Sequence, residues 1–420
     1  MLQAGVAETA RERNRAVFDA FESRRFWYPA PMADELDGWI RRLAALERPS
    51  ASDGERRAAE SILRELQSTG IEARIEVERA HGTHLPFVLP SAVALAAGLV
   101  RRRAVGGIAA AMATAAIVDE LEGRRRLLRR SLARRRTYNV VAELGDPSAC
   151  RTVVFVSHHD VARPWGALFG ALASAPPAPF MKGKPLPAVA TLIHAPLTVL
   201  AGVATGRRLL KRVGVALCAL VVGLFADIAR RKPVPGANDN ASGVAALLGL
   251  AHDLAGRPPR SLRVLLVSTG CEETMLEGMD AFLRRHRTDL DRARTLVVCV
   301  DQIGWEGLVL RESEGVLRPF RSRRQDLDAV LAAAASVGVA LKTAPPFPTP
   351  SDGLAARWAG IPTVFMGSVA GGGGYPHYHR PSDLPEHVAL PSVAGARRIC
   401  AALVERLDVA TGELPAVRRA

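Results

Sequence analysis

Five short stretches of this 420-residue sequence carry imidazole or carboxylate groups beside apolar runs. His158-His159-Asp160 follows the run Thr152–Ser157, and Asn238-Asp239-Asn240 precedes an apolar stretch that begins near Ser242. Glu272-Glu273 follows Leu262–Ser268, Asp301 follows Thr295–Val300, and His377-Tyr378-His379 leads to Asp383 near the C-terminus. Each stretch alone has an ordinary explanation: a surface turn, a helix cap or a solvated acid pair. Together, two imidazoles and three carboxylates at neighbouring sheet edges would repel badly without a cation. Imidazole and carboxylate are the ligands zinc takes in open, catalytic sites. Three carboxylates and one hydroxide balance the charge of two zinc ions. Such a pair, about 3.5–4 Å apart, clamps a substrate oxygen while activating water. The chemistry indicated is metal-assisted hydrolysis.

The elements around these groups alternate. Strands are expected at Asn139–Leu144, Thr152–Ser157, Leu262–Ser268, Thr295–Val300 and Pro362–Met366, uninterrupted and Val-rich as buried strands are. Helices are expected at Gly54–Gln67, Ser242–Ala255, Met275–Arg287, Gln325–Val337 and Leu390–Leu407, with Gly70 and Gly256 as stops. The alternation predicts a three-layer α/β/α sandwich with a mixed, largely parallel sheet. In such folds ligands bind beyond the carboxyl ends of the strands, where the acids and imidazoles stand.

At these residues the sequence resembles the di-zinc aminopeptidases of metallopeptidase family twenty-eight, whose relatives include bacterial leucyl aminopeptidases and glutamate carboxypeptidase. The resemblance covers roughly residues 38–85, 137–163 and 233–407 and implies the zinc exopeptidase fold. It implies two zinc ions per chain: His158 and Asp301 on one, Glu273 and His379 on the other, Asp239 bridging. Glu272 is then the general base that activates the bridging water and protonates the leaving amine. Asp160 supports the imidazole of His158. The implied substrate is a peptide with a free N-terminus. Pro350-Ser351-Asp352, Ala359-Gly360-Ile361-Pro362 and the His379–Asp383 spacing also match. Two departures stand out: Gly353 where the family usually has His, and Thr274-Met275-Leu276-Glu277-Gly278 where it often has Gly-Leu. His377 is the rival ligand to His379. His159 is expected to face away from His158, His252 and His286 to be solvated, and Cys271 to be a small buried filler. Rival readings are a carboxypeptidase, dipeptidase or glutaminyl-cyclase-like hydrolase of the same fold, and a non-catalytic scaffold. The last is disfavoured because every implied ligand is present.

The net charge of +14 suggests nucleic acid until it is mapped. Residues 101–136 carry a net +8 and residues 163–232 a net +9, so the remainder is slightly acidic. Residues 101–136 contain no Phe, Trp or Tyr to stack on bases, and no nucleic-acid partner is expected. In or directly beside these basic segments lie the apolar charge-free runs Leu85–Val100, Ala104–Val118, Pro185–Gly206 and Val213–Ala226. Of these only Pro185–Gly206 reaches the roughly 20 residues of a membrane span. Arg clusters at the ends fit anionic lipid, so the insertions are expected to associate with membrane lipid, spanning or lying on it. The expected organisation is an N-terminal helical segment and first strand (1–84), insertions at 85–136 and 164–232, peptidase core at 137–163 and 233–407, and a tail at 408–420. No signal peptide is expected, and five scattered cysteines fit a reducing compartment, placing the peptidase domain in the cytoplasm.

Overall fold

The computed structural model describes residues 30–123, 125–132, 134–166, 187–345, 350–371 and 374–412. The strands are β1 (Ala73–Ala80), β2 (Arg135–Gly145), β3 (Thr152–His158), β4 (Arg263–Thr269), β5 (Thr295–Val300), β6 (Gly307–Arg311), β7 (Ser313–Glu314), β8 (Phe320–Arg321), β9 (Lys342–Ala344) and β10 (Thr363–Val369). Eight of them form one sheet in the order β1-β2-β4-β3-β5-β10-β6-β9. Its centre, β4-β3-β5-β10, is parallel. β1 pairs antiparallel with β2, and β2 with β4. At the other edge β6 runs antiparallel to β10 and parallel to β9.

The helices are α1 (Ala30–Ala44), α2 (Asp53–Ser68), α3 (Leu85–Leu99), α4 (Arg103–Glu122), α5 (Leu127–Ser131), α6 (Pro187–Thr205), α7 (Arg208–Arg230), α8 (Gly243–Gly256), α9 (Glu277–Arg285), α10 (Arg324–Ser336), α11 (Asp352–Trp358) and α12 (Leu390–Gly412). Side chains alternate across a strand, so β3 sends Val153 and Phe155 to one face and Val154 and Val156 to the other. The first face packs on α1, α2, α8, α10 and α12; the second packs on α9, α11 and the inserted helices. With every residue of β3 and β5 buried, the absence of polar alternation in their sequences is explained. The sandwich architecture expected from the sequence is the one observed.

Most boundaries shift by one to three residues. Helix α9 starts at Glu277 rather than Met275, because Met275 and Leu276 both take left-handed backbone angles (φ 81° and 60°). This is where the sequence departs from the family pattern. Helix α12 continues to Gly412, past the expected end at Leu407; residues 413–420 of the expected tail lie outside the described residues, as do 1–29 and 167–186.

The two insertions do not stand apart from each other. Helices α3, α4, α6 and α7 pack together as one four-helix bundle. The α6–α7 hairpin closes on glycines: a Cβ on Gly202 would lie 2.4 Å from the backbone nitrogen of Lys211, and one on Gly214 would lie 2.5 Å from that of Val199. Small residues at helix crossings allow this approach. At the bundle's base, Glu120 accepts hydrogen bonds from Arg126 (2.9 Å) and Arg129 (2.8 Å), and Arg129 also pairs with Glu277 of α9. That buried ion cluster joins the first insertion to the sandwich.

The expectation that only Pro185–Gly206 is long enough to span is corrected. Among the described residues, Arg103–Glu122 and Arg208–Arg230 are the two helices long and apolar enough to cross a membrane, because the chain stays helical through their charged flanks. Only 33% and 17% of their apolar stretches are buried.

Candidate metal centre

The parallel strands end side by side and deliver the chemical groups to one place. His158 is the last residue of β3, Glu272-Glu273 stand three residues beyond β4, and Asp301 follows β5 directly. Asp239 sits in the tight turn Ala237–Ser242 that leads into α8, and His379 in the loop after β10. All six side chains line one pocket, shared with Arg311, Glu314, Phe365 and Tyr378.

Asp239 lies between the two imidazoles. Its Oδ1 is 3.3 Å from His158 Nε2 and its Oδ2 is 3.3 Å from His379 Nε2. His158 Nε2 is also 3.7 Å from Asp301 Oδ1 and 3.9 Å from Glu272 Oε2, and His379 Nε2 is 3.1 Å from Glu273 Oε2. Ligand atoms of His158, Asp239 and Glu273 lie within 4.8 Å of one another, as do those of His158, Glu272 and Asp301. Asp239 Oδ2, Glu273 Oε1 and Asp301 Oδ1 are buried without a hydrogen-bond partner. Protein interiors seldom leave such atoms unpaired, and inward-facing carboxylate oxygens opposite imidazole nitrogens fit zinc.

The titration behaviour has the same cause. Burial raises the Asp239 carboxyl, but the facing imidazoles of His158 and His379 outweigh it and hold it well below the usual carboxylate range. Burial lowers His379, yet Glu273 and Asp239 raise it to about 10. Burial pushes Glu272 well up, with Glu273, Asp352 and Asp301 adding to the rise against the pull of His158. Protons on the histidines thus balance the carboxylates where cations would.

Asp160 lies just beyond β3. Its carboxylate accepts the backbone N–H of Glu272 (3.0 Å) and Glu273 (3.2 Å) and the hydroxyl of Ser50 (2.6 Å). His158 Nδ1 stands 3.2 Å from the Asp160 carbonyl and 3.5 Å from its carboxylate. Asp160 therefore orients the Glu pair as well as the imidazole. Asp383, four residues after His379, accepts the backbone N–H of Asn238 (2.8 Å) and Asp239 (3.0 Å). His377 is outside the cluster, stacked on His387 at 4.2 Å and hydrogen-bonded to Ser382.

Two expectations about other histidines are corrected. His286 is buried against Glu76 at 3.0 Å, and His252 is half-buried against Trp39. Both faces of the sheet are covered, so helical positions near its edges are not free. His159 is fully buried and bonded to Ser268, and Cys271 is buried with its thiol toward Glu55. A Cβ on Gly353 would sit 3.1–3.3 Å from Cys299, Thr363 and Glu314, so the wall where the family has His is closed by Glu314.

Arg48 went unnoticed in the sequence. It is wholly buried and donates to the carbonyls of Leu43, His159, Pro235 and Gly236, each at 2.7 Å. It thereby ties the loops carrying His158 and Asp239 to the N-terminal segment. Burial lowers its pKa to about 10 against the pull of Asp383, Asp160 and Asp239. No local pattern distinguishes it from other basic residues; its role depends on partners more than 100 residues away.

Residues 221–404 match the family described as Peptidase family M28. No curated protein matches the sequence. Among solved structures, the fold is similar to a Zn-dependent exopeptidase from Parabacteroides distasonis (13% identity, 89% of this chain and 97% of that one, TM-score 0.52). It is similar to BSAP, a zinc aminopeptidase from Bacillus subtilis (13%, 89% and 95%, 0.53). It is also similar to Bacteroides thetaiotaomicron glutaminyl cyclase bound to N-acetylhistamine (14%, 89% and 97%, 0.52). The family match and these folds agree with the resemblance drawn from the sequence.

Proposed function

We propose, from the match of residues 221–404 to peptidase family M28, that the chain is a zinc-dependent aminopeptidase acting on peptides with a free N-terminus. The observation that carries this reading is Asp239, with one carboxylate oxygen 3.3 Å from each histidine, the placement of a ligand shared by two ions. We assign His158 and Asp301 to one zinc and Glu273 and His379 to the other. Zinc bound there would polarise the scissile carbonyl and bring the pKa of a water towards about 7. Glu272 then takes the proton of the attacking water and returns it to the leaving amine. Asp160 positions it through the backbone N–H groups of the Glu pair, and Arg48 holds the loops on either side.

The test is zinc content and activity of the purified full-length chain in detergent. Two zinc per chain, with cleavage of free but not acetylated N-termini, is expected. No zinc after repletion would sink the enzyme reading. A cyclase is the second reading, favoured by His158, Glu272 and Asp301, which by themselves form a set able to hold a single ion. One zinc per chain and ammonia release from N-terminal glutamine peptides would select it.

We assign the helix bundle to a membrane. At 23 residues α7 is about 34 Å long, against a hydrocarbon core of about 30 Å. Ile108, Met112, Leu209 and Leu220 are exposed on the bundle, where a soluble core helix would be covered. Two hairpins return the chain to its starting side, and we place the sandwich on the cytoplasmic side, in keeping with its unpaired cysteines.

A further inference from the structure

We propose that the groove between the metal centre and the base of the helix bundle binds the segment of substrate that follows the cleaved N-terminal residue, and that this segment is apolar and drawn from the membrane. The inference rests on the exopeptidase and membrane readings above.

Glu273 and His379 line two separate cavities. One is the pocket walled by Phe365 and Glu314. The other is a groove whose walls include Leu85 and Val88 from the first turn of α3, Phe225 and Ile228 from the last turns of α7, and Trp165. A peptide bond held at the metal centre therefore has room on two sides, for the residue released and for the chain that remains. The wall contributed by the two helices is apolar, whereas Ser50, Ser52, Thr83, Arg135, Arg163 and Thr274 make part of the remaining lining polar. Phe225 stacks on His84 (4.9 Å between ring centres) and Phe87 (6.0 Å), and Trp165 stands edge-on to His379 at 5.4 Å. Leu85 and Ile228 belong to helices that continue, apolar, into the bundle. The groove's outer end thus opens where those helices leave the sandwich, at the level a membrane surface would occupy. A polar side chain against the helix wall would lose water without gaining partners, whereas an apolar one is buried against Leu85, Val88, Phe225 and Ile228.

The experiment uses full-length, zinc-repleted protein in nanodiscs and two peptides with the same N-terminal residue, one followed by three Leu and one by three Ser. We expect kcat/KM for the Leu peptide to exceed that for the Ser peptide at least tenfold. The ratio should collapse towards one in Leu85→Asp and, independently, in Ala229→Asp, whose side chain also borders the groove. Retained zinc content shows that each variant is folded. Equal rates on the two peptides in the wild type, or a ratio unmoved by both variants, overturn the groove assignment while leaving the aminopeptidase intact. Zinc-loaded protein that cleaves neither peptide overturns the aminopeptidase reading and the groove with it.

Discussion

The carboxylate of Asp383 accepts the backbone N–H of Asp239 at 3.0 Å, so the loop that carries His379 also grips the residue lying between both histidines. One loop thus holds Asp239 and His379 relative to each other. Replacing Asp383 with Ala should lower zinc affinity about 10–100-fold, the usual cost of losing a residue that orients a ligand. Isothermal titration of the metal-free protein with zinc would show it, and unchanged affinity would contradict the positioning role.

Glu272→Gln keeps the shape of the side chain and removes its ability to carry a proton. Zinc should remain bound while kcat falls by about 10²–10⁴, the range of a lost general base. Asp239→Ala should instead lose both metal and activity. Near-native turnover in Glu272→Gln would refute the assigned role.

Arg48 donates to four carbonyls in an interior it shares with Asp160 and Asp383. Arg48→Met leaves those acceptors and nearby charges uncompensated. A loss of about 3–5 kcal/mol is expected, as when one partner of a buried charged network is removed. Urea unfolding with both proteins in the same detergent measures it, and a loss below about 1 kcal/mol would argue against the network.

Metal-free protein should become more stable as pH falls from 8 to about 5.5. Burial raises Glu314 and Asp383 to about 7, above the roughly 4 of an unfolded carboxyl, so the folded state binds more protons in this window. His379, raised to about 10 by Glu273 and Asp239, acts the same way: its stabilisation is complete below about 6.5 and fades as pH climbs towards 10. The depressed Asp239 loses its contribution only at far lower pH. Zinc must displace these protons, so the gain in melting temperature on adding zinc should be larger at pH 8 than at pH 5.5. A metal-free melting temperature that drops on acidification through this range would contradict the assignment.

Ile108, Met112 and Leu220 present apolar surface on the outside of the bundle. Changing all three to Ser should reduce flotation of the protein with liposomes about tenfold or more, since burying each such side chain is worth roughly 1.5–3 kcal/mol. Equal flotation would show that this face does not meet lipid.

What the sequence determined by itself is the set of reactive groups and the kind of element before each. Buried parallel strands read as unbroken Val-rich runs, and His158, Glu272-Glu273 and Asp301 follow such runs directly. The α/β/α layering follows from that alternation, because a sheet apolar on both faces needs helices on both. The tertiary structure alone decided how distant segments meet. That Asp383 grips Asp239, that Arg48 joins four carbonyls, that Glu314 closes the wall beside Gly353 and that two insertions form one bundle with a groove at its base are contacts across tens to hundreds of residues. Periodicity reports which side of an element is apolar. It carries no record of which other element covers that side, and that choice placed the bundle beside the metal centre.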